Sequence, residues 1–178
     1  MALRPIRRFP DNVLRQPTED VKTFDADLRR LVEDMAETMY AANGAGLAAI
    51  QVGDRRKIFI VEGHVAGGAE DAPPVVFINP KIEWLDEEQE TTDEGCLSFP
   101  GIYVPIKRAL RARVRALDVD GNEFVAEGEG LYARAMQHEN DHLINKLLID
   151  YVGPLKKQMI KRKLERSARA EAEEELAD

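Results

Sequence analysis

The chain has 178 residues, a formal net charge of -8 and 44% hydrophobic residues, a composition that predicts one domain with its own core. Its single cysteine excludes an internal disulfide, and the negative charge argues against general affinity for nucleic acid. No run of about 18 apolar residues occurs, and the N-terminus lacks the apolar region of a signal peptide. We therefore expect a single domain over residues 1–178 that is cytoplasmic, with no DNA or membrane partner.

The first third of the chain combines an extended arm with one helix. Residues 4–20 contain three prolines and no sustained periodicity, which predicts an extended arm on the surface. Apolar residues at three-to-four spacing then predict an amphipathic helix from about Ala26 to Tyr40, with Asp25 as its N-cap. Residues 43–53 are mostly small, and one polar residue, Gln51, lies among apolar ones at 47–52. Because a buried glutamine needs a hydrogen-bond partner, its role is either structural or functional.

The middle of the chain reads as short antiparallel strands. Strands are predicted at residues 57–61, 75–78 and 82–85, the second ended by Asn79-Pro80. Arginine alternates with small apolar residues over 111–116, and the Asp120-Gly121 turn predicts a hairpin that returns at 124–126. Hairpins between helices indicate an α+β fold rather than a parallel α/β fold.

A helix predicted from Glu129 to about Ile144 carries the HExxH pattern. His138 and His142 are four residues apart, so both imidazoles can face one metal ion from the same side of the helix. Glu139 then lies beside the ion, where a general base could take a proton from water. The pattern predicts a metal site that still needs a third ligand.

The last predicted helix runs from Leu155 to about Leu176, and residues 170–178 are expected to fray as an acidic tail. Its first half is basic although the whole chain is acidic. The segment 154–169 has one acidic residue, Glu165, and seven basic ones: Lys156, Lys157, Lys161, Arg162, Lys163, Arg166 and Arg169. This segment is either a solvated face or a docking surface.

Three residues are candidates for the third metal ligand: Cys96, His64 and Glu165. A third histidine six residues after His142 would be typical of one class of zinc endopeptidase, but Leu148 stands there, which excludes that class. Cys96 is the strongest candidate, because a thiolate beside Gly95 would complete a Cys-His-His set with one open position.

The chain resembles the peptide deformylases, and most closely their Gram-negative bacterial branch, in three motifs. These motifs are GAGLAAIQ at 44–51, EGCLS at 94–98 and QHENDHL at 137–143, and they occur in the family's order and spacing. The resemblance implies antiparallel sheets packed around a central HExxH helix, with further helices at both ends. It also implies removal of the formyl group from the N-terminal formylmethionine of nascent polypeptides, with release of formate.

The resemblance further implies roles for individual residues. Cys96, His138 and His142 would hold one divalent metal ion. Fe(2+) is the expected ion, and Zn(2+), Ni(2+) and Co(2+) are the alternatives. Glu139 would be the base, and the Gln51 amide and the Leu97 backbone N–H would bind the oxyanion. The substrate chain and its methionine would contact Gly44, Ala45, Gly46, Leu97, Leu131 and Ala135. The basic helix is compatible with docking to the ribosome near the exit tunnel.

Some positions depart from the family pattern. Asn145 replaces the usual glycine after the motif, and Tyr103 stands where many relatives have arginine. Arg134 stands where some relatives have an aliphatic residue. We expect the Arg134 side chain to point to solvent, and the alternative is that it narrows the methionine pocket. We also expect Arg108 to pair with Glu94. Two other functions are considered: an HExxH metalloendopeptidase, and a ribosome-associated binding protein without catalytic activity.

Overall fold

The computed structural model describes residues 2–177 as an α+β fold with antiparallel sheets. Over these residues it has three α-helices, α1 Ala26–Ala41, α2 Leu131–Leu143 and α3 Pro154–Ala177. Its seven strands are β1 Gly46–Ala48, β2 Ile58–Val61, β3 Val75–Leu85, β4 Gln89–Cys96, β5 Phe99–Ala109, β6 Arg111–Leu117 and β7 Glu123–Glu129. None of the helices over residues 2–177 is long and apolar enough to cross a membrane.

A five-stranded sheet separates α1 from α2. Its strand order is β1-β2-β3-β6-β7, and every neighbouring pair is antiparallel. Side chains of β2 alternate between the two faces, so Ile58 and Ile60 pack with α1 while Phe59 and Val61 pack with α2. The HExxH helix α2 therefore rests on a sheet whose opposite face is covered by α1.

A second, two-stranded sheet pairs β4 with β5 and packs against the C-terminal part of the chain. The apolar side of β5 contacts the 3-10 turn Leu148–Tyr151 and two buried residues of α3, Ile160 and Leu164. This packing places the β4–β5 hairpin beside α2 and leaves the start of β1 open toward the hairpin.

The structure confirms the α+β fold around a central HExxH helix and most of the predicted elements. Asp25 caps α1 as expected, because its side chain accepts a hydrogen bond from the Leu28 N–H at 3.0 Å. The alternation in β6 buries Ala112, Val114 and Ala116 and exposes Arg111 and Arg115. The acidic tail is helical as far as Ala177, and Asp178 lies outside the described residues.

One expectation about the strands is wrong. Asn79-Pro80 does not end a strand, because β3 continues through it with a bulge in its pairing to β6. Asn79 adopts a positive φ of 50°, and its side chain bonds the backbone N–H and C=O of Val21, so the bulge is held from outside the sheet. The segment around Cys96, for which no strand was predicted, forms β4, paired with β5 from Gln89 to Cys96.

Candidate metal centre

Three potential ligand atoms meet where β4 ends against α2. Cys96 is the last residue of β4, and His138 and His142 lie one turn apart on α2. Their ligand atoms all lie within 4.8 Å of one another, and the Cys96 Sγ is 3.5 Å from the His142 Nε2. The structure thus brings together the three residues that the resemblance implies as ligands.

This donor set fits one divalent metal ion. With metal–sulfur and metal–nitrogen bonds of about 2.3 and 2.1 Å, a tetrahedral ion separates its sulfur and nitrogen ligands by about 3.6 Å. The 3.5 Å between the Cys96 Sγ and the His142 Nε2 agrees with that separation. Burial, followed by the influence of His138, lowers the pKa of His142 and keeps its imidazole neutral, the form that binds metals.

Glu139 lies next to the three ligands but is not one of them. Its Oε1 is 3.6 Å from the His138 Nε2, and its Oε2 is buried with no hydrogen-bond partner among the described residues. Burial raises the pKa of Glu139 to about 7, against an opposing effect of the neighbouring His138. A carboxylate with an elevated pKa and an unused oxygen can accept a proton near neutral pH.

Glu94 orients His138 from the side opposite the ligands. The His138 Nδ1 donates to the Glu94 Oε1 at 2.8 Å, which leaves Nε2 directed toward Cys96 and Glu139. The predicted pair is confirmed, since Arg108 donates to both carboxylate oxygens of Glu94 at 2.8 and 2.9 Å. Burial opposes ionisation of Glu94, but the hydrogen bonds from Arg108 and His138 outweigh it and lower the pKa to about 2.

Arg134 does not point to solvent, and that expectation is wrong. Its guanidinium donates to the Glu94 Oε2 at 2.5 Å and to the backbone carbonyls of Ile106 and Glu90 at 2.9 and 2.7 Å. Only 12% of its side chain is exposed, and the residue lines the cleft beside Ala135. A second arginine therefore supports the carboxylate that holds His138.

The Gln51 side chain is buried between the first and second motifs. Its Oε1 accepts from the Ala48 N–H at 2.9 Å, and its Nε2 donates to the Ser98 Oγ at 3.0 Å. The same Nε2 lies 3.5 Å from the Cys96 Sγ. The amide is thus fixed by two hydrogen bonds with its donor end beside a metal ligand, so a structural role and a functional one are compatible.

A cleft of about 780 Å³ opens onto the ligand cluster. All of the residues implied as substrate contacts line it: Gly44, Ala45, Gly46, Leu97, Leu131 and Ala135. Tyr103, which stands where many relatives have arginine, is at the rim and 69% exposed. The cleft joins the start of β1, the β4–β5 hairpin and one side of α2.

The other two candidate ligands lie outside the cluster. His64 is exposed, and its Nδ1 contacts the Gly68 carbonyl within its own loop at 3.2 Å. Glu165 is exposed on α3, within the basic segment. Asn145, which replaces the usual glycine, caps the end of the motif helix: it has a φ of 59°, and its backbone N–H bonds the His142 carbonyl.

Two supporting residues were missed at the sequence level. Asp141 and Tyr151 complete the surroundings of Arg108, since Arg108 Nη1 donates to the Asp141 carboxylate at 2.8 Å and to the Tyr151 hydroxyl at 2.9 Å. The hydroxyl in turn donates to Asp141 at 2.5 Å. The sequence did contain a signal for this network: Asp141 lies inside the HExxH pattern, and a carboxylate on a buried helix requires a hydrogen-bond partner.

Together, the α+β fold and a Cys-His-His cluster with an adjacent glutamate define a metal-dependent hydrolase of the HExxH type. The family model described as polypeptide deformylase matches residues 3–158. A peptide deformylase of Saccharophagus degradans is 49% identical over 173 residues, covering 97% of this chain and 98% of that protein. The chain therefore belongs to the polypeptide deformylase family.

Solved structures agree with this assignment. The crystal structure of a peptide deformylase from Legionella pneumophila matches with a TM-score of 0.89 and 40% identity, covering 96% of this chain and 98% of that one. The peptide deformylase from Ehrlichia chaffeensis in complex with actinonin matches with a TM-score of 0.88 and 37% identity, covering 95% and 99%. The likeness thus extends over nearly the whole chain.

Proposed function

We propose that this chain removes the formyl group from the N-terminal formylmethionine of nascent polypeptides and releases formate. The observation that carries the proposal is the position of Glu139, 3.6 Å from a ligand nitrogen of the Cys-His-His cluster and at the floor of an open cleft. Hydrolysis of an amide needs an activated water, a base and a site for developing negative charge. Each of these has a candidate here.

We further propose that the ion is Fe(2+), with Zn(2+), Ni(2+) and Co(2+) able to occupy the same ligands. One thiolate and two imidazoles suit each of these borderline ions, so availability in the cell decides between them. When bound, the ion supplies Lewis acidity that polarises the formyl carbonyl and acidifies a water. Glu94 and Arg108 support it indirectly by fixing the ring of His138.

In this mechanism Glu139 moves the proton. Its carboxylate accepts a proton as the water oxygen attacks the formyl carbon, and it then gives that proton to the departing amine as the C–N bond breaks. Formate and a free N-terminus are the products. The Gln51 Nε2 and the Leu97 backbone N–H would donate to the oxyanion, and the Gln51 amide needs little movement to do so because Ala48 and Ser98 already hold it.

The substrate chain is proposed to pair alongside β1 as an additional strand of the sheet. This strand is at the edge of the five-stranded sheet, and Gly46 lines the cleft, so its backbone can pair with an extended peptide. The methionine side chain would lie among the apolar lining residues Gly44, Ala45, Leu97, Leu131 and Ala135. A side chain on residue 46 would meet Glu139, which accounts for glycine at this position.

Formate release from formyl-Met-Ala-Ser, compared with the unformylated peptide as control, tests this function. Glu139→Gln is expected to keep its metal and to lose about 100- to 10,000-fold in kcat, because it removes the proton acceptor. Normal turnover by a metal-loaded Glu139→Gln protein would refute the assignment. Cleavage of internal peptide bonds by the wild type would instead favour an endopeptidase, and no turnover of any formyl peptide would favour a binding protein.

We propose that the protein acts in the cytoplasm, where nascent formylated chains are made, and that α3 docks on the ribosome. Support comes from exposed cations on α3 that do not line the cleft, including Lys161 and Arg169. Ribosomal RNA would attract them, so binding should weaken with salt. Co-sedimentation of a Lys161→Glu/Arg169→Glu protein with ribosomes should fall at least about tenfold, and undiminished co-sedimentation would reject docking through this face.

A further inference from the structure

A second groove, of about 530 Å³, continues from the substrate cleft onto α3. The two share the rim formed by residues 101–103 of β5. The rest of the groove is one face of α3, since its residues recur at three-to-four spacing. These residues are Lys156, Met159, Ile160, Arg162, Lys163 and Arg166. The family model that matches residues 3–158 ends before most of them.

The groove is strongly basic. Four of its lining residues are cations and none is acidic. None of these cations has a carboxylate within 4 Å among residues 2–177, whereas Arg15 and Arg56 elsewhere on the surface pair with Asp150 and Asp54. The Lys163 Nζ instead donates to the Gly101 carbonyl at 3.0 Å, which ties α3 to the shared rim. A chain of net charge -8 thus leaves a cluster of unpaired cations next to its cleft.

The groove also offers apolar surface to an extended chain. Tyr103 and Met159 are 69% and 61% exposed, and both line it between the cations. Residues 101–103 line both cavities, so a polypeptide whose first residue lies in the cleft can leave across this shared rim, and it advances about 3.3 Å per residue when extended. The exit over residues 101–103 leads such a chain directly onto α3.

We propose that this groove binds the part of the formylated polypeptide that follows the methionine and that it favours acidic side chains there. The proposal rests on the deformylase function and adds a preference beyond the first residue. Its grounds are the continuity of the groove with the cleft and the complementarity between unpaired cations and carboxylates. Phosphates of an RNA would also suit the cations, but the substrate chain is favoured because the groove shares its rim with the substrate cleft.

The test uses formyl-methionyl peptides of about nine residues, which reach beyond the cleft at about 3.3 Å per residue. A set of peptides carries two adjacent aspartates at successive positions after the methionine, and each position is one register. Each aspartate peptide is compared with the peptide that has two asparagines in the same register. At low salt the wild-type KM should be about three- to tenfold lower for the aspartate peptide in one register, as expected for a few exposed charge pairs. The difference should shrink at about 1 M salt, and kcat should not depend on the pair.

Two neighbouring substitutions separate the groove from the general charge of the helix. Arg162→Glu places an anion in the groove and should abolish or invert the aspartate preference. Lys161→Glu changes the charge equally but lies outside the groove lining, so it should keep the wild-type ratio of the two KM values. Both positions are exposed and glutamate is a good helix former, so both proteins should fold.

The proposal is overturned if the wild type treats both peptides alike in every register, or if Lys161→Glu alters the ratio as much as Arg162→Glu does. It is also overturned if Arg162→Glu weakens binding of a random-sequence single-stranded RNA while leaving the ratio of KM values unchanged, since the groove would then serve nucleic acid. Formate release from formyl-Met-Ala-Ser by the wild type is measured in parallel. Its absence would reject the deformylase function itself, independently of any preference.

Discussion

Gly46→Ala should impair catalysis through Glu139 while leaving the metal in place. A Cβ at this position would lie 3.0 Å from the Glu139 Cγ and 3.0 Å from the Ile60 carbonyl oxygen. Ile60 belongs to β2, which is held between β1 and β3, so the Glu139 side chain is the more easily displaced of the two neighbours. The Glu139 side chain must therefore yield by a few tenths of an ångström.

The size of the effect follows from that displacement. A misplacement of about 1 Å at a reacting group can cost about 100-fold in rate, so a shift of a few tenths should lower kcat roughly tenfold. Metal content should stay at the wild-type level, because the three atoms nearest to the new Cβ belong to Glu139 and Ile60 and not to a metal ligand. The free energy of unfolding should change little. Replacing a glycine of ordinary conformation by alanine adds about 0.4–1 kcal/mol to it by restricting the unfolded chain, and the crowding around the new Cβ opposes this gain.

Formate release, metal analysis and thermal unfolding are measured on the same preparations. Gly153→Ala is the matched control, because a Cβ there meets nothing within 4 Å and its φ is not positive. Glu139→Gln sets the largest loss that can arise through this side chain. A metal-loaded Gly46→Ala protein within about twofold of wild-type kcat would refute the claim that the close approach of β1 positions the base.

Further predictions concern the ligands, the support of His138 and the surface. Cys96→Ser replaces a soft metal ligand with a hard one. Loss of a hydrogen bond that supports a ligand weakens metal binding by about 10- to 100-fold, and loss of the thiolate itself should weaken it by more. Competition with a chelator measures this affinity. Arg134→Leu removes one hydrogen-bond donor from a Glu94 oxygen and from each of two backbone carbonyls. The free energy of unfolding, measured in urea, should fall by about 1–3 kcal/mol. An unchanged urea midpoint would contradict these contacts. The hydrogen bond from Arg15 lowers the pKa of Asp150, so this pair adds stability above pH 3.8 that is lost as the pH falls through the folded-state pKa. Arg15→Gln should therefore cost up to about 1 kcal/mol near pH 6 and less as the pH falls below 3.8, where only the hydrogen bond from Arg15 to the Asn145 carbonyl is left to lose. A cost that does not change with pH would refute the link to Asp150.

Residue patterns predicted the helices well because both buried helices carry strong periodicity. In α1, Leu28, Leu31 and Met35 are fully buried at the expected spacing, and in α2 the spacing of the two histidines follows from helical geometry. The metal cluster needed more, because Cys96 is more than forty residues from His138. Its place in the cluster came from the choice among possible ligands and from the family resemblance.

The β4–β5 hairpin shows where sequence patterns were insufficient. In β4 only Glu94 is buried, so the strand has no apolar face and no alternation to detect. Its partner did carry a signal, since Ile102, Val104 and Ile106 alternate with exposed residues along β5. Arg134 was misjudged for a related reason: its partner Glu94 lies forty residues upstream, and no local pattern reports a contact at that distance.

Glu94 explains why a strand without an apolar face keeps a fixed position. It lies two residues before Cys96 on β4, and its carboxylate is bonded to His138 and to two arginines. The same short strand thus provides one metal ligand and orients another, so the Cys96 Sγ and the His138 ring are placed relative to each other by protein contacts. A ligand set held in this way loses little freedom when an ion binds. The buried carboxylate of Glu94 is therefore the link that brings a hairpin and a helix together as one metal centre.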